Sequence, residues 1–301
     1  MDDLRAACAR VAAAASHVRI QEDVIAVYGA GLALAPPMPA AEDRSRGIDA
    51  ERLAAFWLTL DAINFGSGWF PTLRKRAGLS GYNTIAAAWR ERGPLDAAEL
   101  AHVDATTIAR TLGQEPDHEL MALYAASLRD LAGHVSAEHD GSFLATATCT
   151  PSAVAFARRI GGWPSFADVS VYDGLGVPFL KRAQIAAADL ARAGVARFTD
   201  LERLTMFADN LVPHVLRLDG VLAFTPALAA RVDRGELIEH GSPEEVEIRA
   251  CALHAVELIV AARAAAGSST TAADIDQHLW QRGQQPAYKS APRHRSRCTA
   301  Y

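Results

Sequence analysis

Residues 177–218 read VPFLKRAQIAAADLARAGVARFTDLERLTMFADNLVPHVLRL, and the rest of the chain is read outward from them. A helix is expected from about Phe179 to Ala193, where Lys181, Arg182, Gln184 and Asp189 stand among Phe, Leu, Ile and Ala. Those residue types favour helix, and Gly194 is a natural stop. A second helix is expected from Asp200, whose side chain can cap Leu201 onward. It then meets Met206-Phe207-Ala208-Asp209-Asn210-Leu211-Val212-Pro213. Asp209 stands in an apolar run that Pro213 interrupts. Pro213 suits the first turn of a new helix, because its missing N–H would be unpaired there anyway. Asp209 is therefore expected on a short hairpin between two helices, at an end rather than on a packed face.

Two readings of Asp209 stand side by side on local pattern: a helix cap or turn residue, and a catalytic acid. Lys181 alone reads most simply as a snorkelling lysine. Five motifs in one order add to this. They are KRAQI (Lys181–Ile185), LTMFAD (Leu204–Asp209) with Val212-Pro213, EVEIR (Glu245–Arg249), HRSRC (His294–Cys298), and Ile63-Asn64-Phe65 with Trp69-Phe70-Pro71. Together they resemble the queuosine salvage protein family, the queuosine 5'-phosphate N-glycosylase/hydrolases, over essentially the whole chain.

The resemblance implies a mainly α fold: a single helical domain over residues 1–301, similar to the helix-hairpin-helix DNA glycosylases, with a small β element near residues 168–180. It implies hydrolysis of the N-glycosidic bond of queuosine 5'-monophosphate, giving queuine and ribose 5-phosphate. Asp209 matches the family's catalytic aspartate, and Lys181 the lysine that accompanies it. Such chemistry builds positive charge on the sugar as the base leaves, and a fixed carboxylate meets that charge. Queuine is a 7-deazaguanine, so it lacks the N7 that a purine glycosylase protonates. Its 7-substituent carries a cationic amine that calls for a buried acid, with Glu247 and Asp276 as candidates. The 5'-phosphate calls for cations; Lys181, Arg182, Arg249 and the tail Arg293-His294-Arg295-Ser296-Arg297 supply them. Asn64, Phe65 and Trp69 are expected to form a pocket wall on which a base stacks; the plain alternative is a turn that tucks aromatics into the core. The chain departs from the family at Asn210, Leu211 and His214, where Tyr, Arg and Gln are common. Gln277-His278 replaces an aromatic pair.

Composition narrows the alternatives. Formal net charge is −5 over 301 residues, with pI about 6.1, which argues against a broad nucleic-acid footprint. The competing reading is a non-catalytic helical module that binds a nucleotide or tRNA; the charge balance disfavours tRNA. Half the residues are hydrophobic (50%), enough for a sizeable core. Cys8, Cys149, Cys251 and Cys298 lack CxxC or metal-finger spacing and read as reduced thiols of a cytoplasmic protein. His134, His139 and Asp140 do not match a metal template, so neither metal nor cofactor is expected. No uncharged apolar run reaches the roughly 18 residues of a membrane span. Residues 1–16 carry Asp2, Asp3, Arg5 and Arg10, an ordinary helix rather than a signal peptide.

Elsewhere the pattern is helical, with no repeat of fixed period. Helices are expected at about Asp2–His17, Gln21–Ala30, from the cap Asp49 to Ile63, at Ala153–Ile160, Pro226–Glu239 and Thr271–Arg282. Another runs from the Ser242-Pro243 start to about Ala266. Val18–Ile20 should be extended, and residues 34–49, with Pro36, Pro37 and Pro39, a loop. Breaks fall near Gly93-Pro94 and from Gly113 to Pro116. Leu120, Leu123, Tyr124, Ser127, Leu128 and Leu131 form a helical face. Val169–Tyr172, Asp173-Gly174 and Val177–Phe179 suggest a small hairpin before Lys181.

Overall fold

The computed structural model describes residues 1–34 and 49–301. The described chain is mainly helical. Its elements begin with α1 (Asp2–Ala14), β1 (Val18–Ile20), α2 (Glu22–Gly31), α3 (Ala50–Ala62), α4 (Gly81–Arg92), α5 (Ala97–Leu100), α6 (Ala105–Leu112) and α7 (Glu119–His139). They continue with α8 (Phe143–Ala147), α9 (Ala153–Ile160), β2 (Val169–Tyr172), β3 (Leu175–Pro178), α10 (Lys181–Arg192) and α11 (Leu211–Leu218). Last come β4 (Leu222–Phe224), α12 (Pro226–Asp233), α13 (Pro243–Ala265), α14 (Ala272–Arg282) and α15 (Pro286–Lys289). The chain divides into two compact units: residues 1–34, 169–181 and 202–297, and residues 49–168, 182–201 and 298–301.

The first unit is organised around α13. Ser242 caps it through Glu245 N, and Pro243 takes the first position. Every residue from Glu245 to Leu253 is buried, so the helix has no solvent face over that stretch. It packs against α1, α2, α11 and α14. Three ionisable residues, Glu245, Glu247 and Arg249, lie within the buried stretch, and burying charge is tolerable only with partners. β1 pairs antiparallel with β4, Val18 opposite Phe224. β2 and β3 form the expected hairpin, turned at Asp173 (φ 48°) and Gly174 (φ 77°), the paired left-handed residues of a tight hairpin turn.

The second unit is organised around α7, which packs against α3, α5, α6 and α8. Asp49 caps α3 by accepting from Glu51 N and Arg52 N. The turn after α3 requires Gly66: its φ is +108°, and a Cβ there would come within 2.8 Å of Leu120 Cδ2. Gly66 N donates to Tyr301 O at 3.0 Å, and Cys298, Ala300 and Tyr301 are buried, so the C-terminal tail is packed rather than frayed.

Four expectations need correction. The helix expected from Asp200 is a single 3-10 turn at Leu201–Arg203. Asp200 instead caps α9, accepting from Ser152 Oγ and Ala153 N, each at 2.6 Å. Asp209 thus precedes α11 as expected, but no α-helix leads into it. The first helix ends at Ala14, not His17, because the N–H groups of Ser16, His17 and Val18 go to the Glu247 carboxylate. α12 ends at Asp233 rather than Glu239: Gly235 turns left-handed (φ 70°), and Ile238 N donates to Arg295 O at 2.9 Å. The short α15 was not expected. The loop expected at 34–49 lies, but for its end residues, outside the described residues.

Candidate active site

Asp209 sits half-buried immediately before α11. Its Oδ1 accepts from Leu211 N at 2.8 Å and Val212 N at 3.2 Å. The carboxylate therefore caps two of the orphan amides of the helix start, where the helix dipole also favours negative charge. Oδ2 makes no hydrogen bond among the described residues. One oxygen thus fixes the group at the helix start.

The two residues before Asp209 are held from outside the segment. Phe207 N donates to Asp276 Oδ1, on α14, at 3.0 Å. Ala208 O accepts from Arg249 Nε, on α13, at 2.9 Å. The residue after it, Asn210, donates from Nδ2 to His294 O at 3.2 Å. Asp276, Arg249 and His294, picked from the sequence for substrate contacts, thus converge on the backbone that carries Asp209.

Arg249 is fully buried. Its guanidinium lies 3.9 Å from the Phe179 ring centroid and 3.5 Å from Glu245 Oε1. Burial pushes the Glu245 carboxyl up, but the Arg249 charge, His240 and the Gly241 N–H outweigh it and bring the group down to about 2. Arg249→Leu should lower the unfolding free energy by about 3–5 kcal/mol, because it strands the Glu245 charge in the core. Urea denaturation measures this; a loss under about 1 kcal/mol would mean the pair is dispensable.

Glu247, also fully buried, accepts from Val18 N (3.0 Å), His17 N (2.6 Å), Ser16 N (3.1 Å) and Tyr172 OH (2.8 Å). It ties the start of β1 and the β2–β3 hairpin to α13. The hairpin ends at Pro178; after Phe179, Leu180 has φ 52°, a left-handed conformation that is costly for a buried leucine. Lys181, 4% exposed, then opens α10. No signal in the sequence marks Leu180, since the left-handed region is read from Gly or Asn. His294 is buried, and burial drives its pKa down to about 3, so the ring is neutral near pH 7. Arg297 is exposed.

The remaining candidates belong to the second unit. Phe65 and Trp69 are buried, and Asn64 is half-buried. Phe65 meets Tyr124 edge-on at 4.9 Å, and Trp69 Nε1 donates to Glu119 at 2.6 Å. Arg182 is fully buried between the Phe65 and Phe166 rings, and donates to Ala62 O at 2.6 Å and to Ser165 O. Burial lowers its pKa to about 10, against the opposing charge of Asp168, so it stays cationic. Among the described residues no group of three or more His, Cys, Asp or Glu side chains is placed to hold a metal, and no helix is long and apolar enough to cross a membrane.

Comparison with known proteins agrees with the motif order. The queuosine salvage protein family matches residues 45–301. A Sphaerobacter thermophilus protein named queuosine 5'-phosphate N-glycosylase/hydrolase is 37% identical over 308 residues, covering 97% of this chain and 95% of that one. Proteins of the same name are similar over shorter spans. The one from Mus musculus is 34% identical over 47% of this chain and 46% of its own, and that from Schizosaccharomyces pombe 40% identical over 34% and 30%. The chain belongs to the queuosine salvage protein family.

Proposed function

We propose that this protein hydrolyses the N-glycosidic bond of queuosine 5'-monophosphate, releasing queuine and ribose 5-phosphate for salvage in tRNA modification. The observation that carries the reading is a half-buried carboxylate, Asp209, held by one oxygen at the start of α11 while three elements of its unit fix the backbone around it. The near full-length similarity to a protein named for this activity supports it.

In this reading the free oxygen of Asp209 faces the anomeric carbon. As the deazaguanine leaves, the ribose becomes cation-like, and the fixed charge of Asp209 stabilises it and orients the attacking water. Holding the carboxylate through Oδ1 matters because a preorganised charge needs no rearrangement at the transition state. Lys181 acts beside it, on the ribose or on the departing base. Asn64, Phe65 and Trp69 are assigned to the base-binding side and His294 and Arg297 to the phosphate. Asp276 and Glu247 remain the acids assigned to the substrate amine. Arg249 and Arg182 stay in the substrate-binding set, and their inward hydrogen bonds suit them to positioning. The chain acts as one functional domain of helix-hairpin-helix glycosylase type, in the cytoplasm, on a small molecule rather than directly on nucleic acid.

Incubation with queuosine 5'-monophosphate, followed by chromatography, should give queuine and ribose 5-phosphate in equal amounts. Retention of intact nucleotide over long incubation, with binding still measurable, would favour a binding module instead.

A further inference from the structure

The cations of the first unit differ in how far they are matched. Arg249 donates to Ala208 O and faces the Glu245 carboxylate, as described. Arg295 donates to Gly235 O at 2.6 Å, Arg217 to Asp233 at 2.9 Å and Arg282 to Asp219 at 3.2 Å. Arg293 is half-buried and makes no hydrogen bond or ion pair among the described residues. The two residues that follow it are nonetheless fixed. His294 O accepts from Asn210 Nδ2 at 3.2 Å, and Arg295 O from Ile238 N at 2.9 Å. The first of these bonds sets the tail directly against Asp209-Asn210. Burial lowers the Arg293 pKa, and the charge of Asp209 opposes that. The same guanidinium acts on His214, one turn further along.

Arg293 and Asp209 therefore feel each other without forming an ion pair. A partly desolvated guanidinium gains from an anion that completes its hydrogen bonds. A nucleoside monophosphate carries two matching features on one ring: an anomeric carbon that becomes cationic, and a phosphate at C5'. A carboxylate and a guanidinium on two segments joined by the Asn210–His294 hydrogen bond, with no ion pair between them, suit those two ends.

We infer that Arg293 is a specificity-determining residue that binds the 5'-phosphate of the substrate. The inference rests on the glycosidase reading above and adds to it the residue that selects nucleotide over nucleoside. The test compares wild type, Arg293→Met and Arg293→Lys on queuosine 5'-monophosphate and on the nucleoside, with inorganic phosphate as competitor. The Met variant should lose about tenfold to hundredfold in kcat/KM for the monophosphate, the worth of one charge-assisted hydrogen-bonded contact. Its kcat/KM for the nucleoside should fall far less than that for the monophosphate, and inorganic phosphate should no longer inhibit it. The Lys variant should recover part of the loss, since it keeps the charge but not the fork. Equal losses on both substrates, or none on either, would overturn the assignment. If wild type cleaved neither substrate, the glycosidase reading would fail. Calorimetry with inorganic phosphate would then still decide Arg293: binding lost in the Met variant supports the site, and binding kept overturns it.

Discussion

Asp209→Asn should lower kcat by about two to four powers of ten while leaving the melting temperature nearly unchanged. The two halves of that expectation come from the two oxygens. Oδ1 caps α11 through Leu211 N and Val212 N. Asn is as good a cap as Asp, since its carbonyl oxygen accepts the same amides. The substitution therefore preserves the helix start and the backbone held by Asp276 and Arg249. What it removes is the negative charge, the part needed to stabilise a cation-like ribose. Asp209→Ala is the informative companion. It removes charge and cap together, so it should show the same activity loss plus about 0.5–2 kcal/mol of destabilisation. Wild-type turnover in the Asn variant would make Asp209 a structural cap alone.

The contrast between Asp and Asn also shows what the sequence made legible. The position of Asp209 at a helix start was readable, because Pro213 belongs in a first turn and Asp suits a cap. The hairpin before Lys181 was readable from Asp173-Gly174, and α13 from Ser242-Pro243. The absence of a helix from Asp200 was not. Asp200 looks like a cap for whatever follows it, but its carboxylate serves α9, some 48 residues earlier in the chain. Pairing of β1 with β4 was equally hidden: strands of three residues, about two hundred residues apart, carry no local signal. Glu247 and Arg249 were visible as charges in an apolar run, yet the run is buried on all sides. Charges on such a helix are as well suited to internal networks as to ligands, and periodicity cannot separate the two. The family motifs singled out these residues, while only the fold revealed which atoms hold which backbone groups.

Queuosine 5'-monophosphate should exceed the nucleoside in kcat/KM by about two to three powers of ten. The phosphate is remote from the bond that breaks, so its binding energy can position the ribose against Asp209. Each charge-assisted hydrogen bond to it contributes about 1.5–3 kcal/mol, and two or three such bonds set the scale before the phosphate's own desolvation is subtracted. The cations differ in what they can contribute. Arg182 and Arg249 are fully buried and already donate to backbone carbonyls. Arg293 is half-buried without such commitments among the described residues, and Lys181 opens a helix whose N-terminal amides favour an anion. A preference built on so few contacts should weaken only modestly with salt if the site is enclosed, and steeply if the cations are surface charges. Measuring kcat/KM for both substrates at two ionic strengths reads both quantities. Equal values for nucleotide and nucleoside would mean that no phosphate site exists, and that these cations serve the protein's own carboxylates and carbonyls.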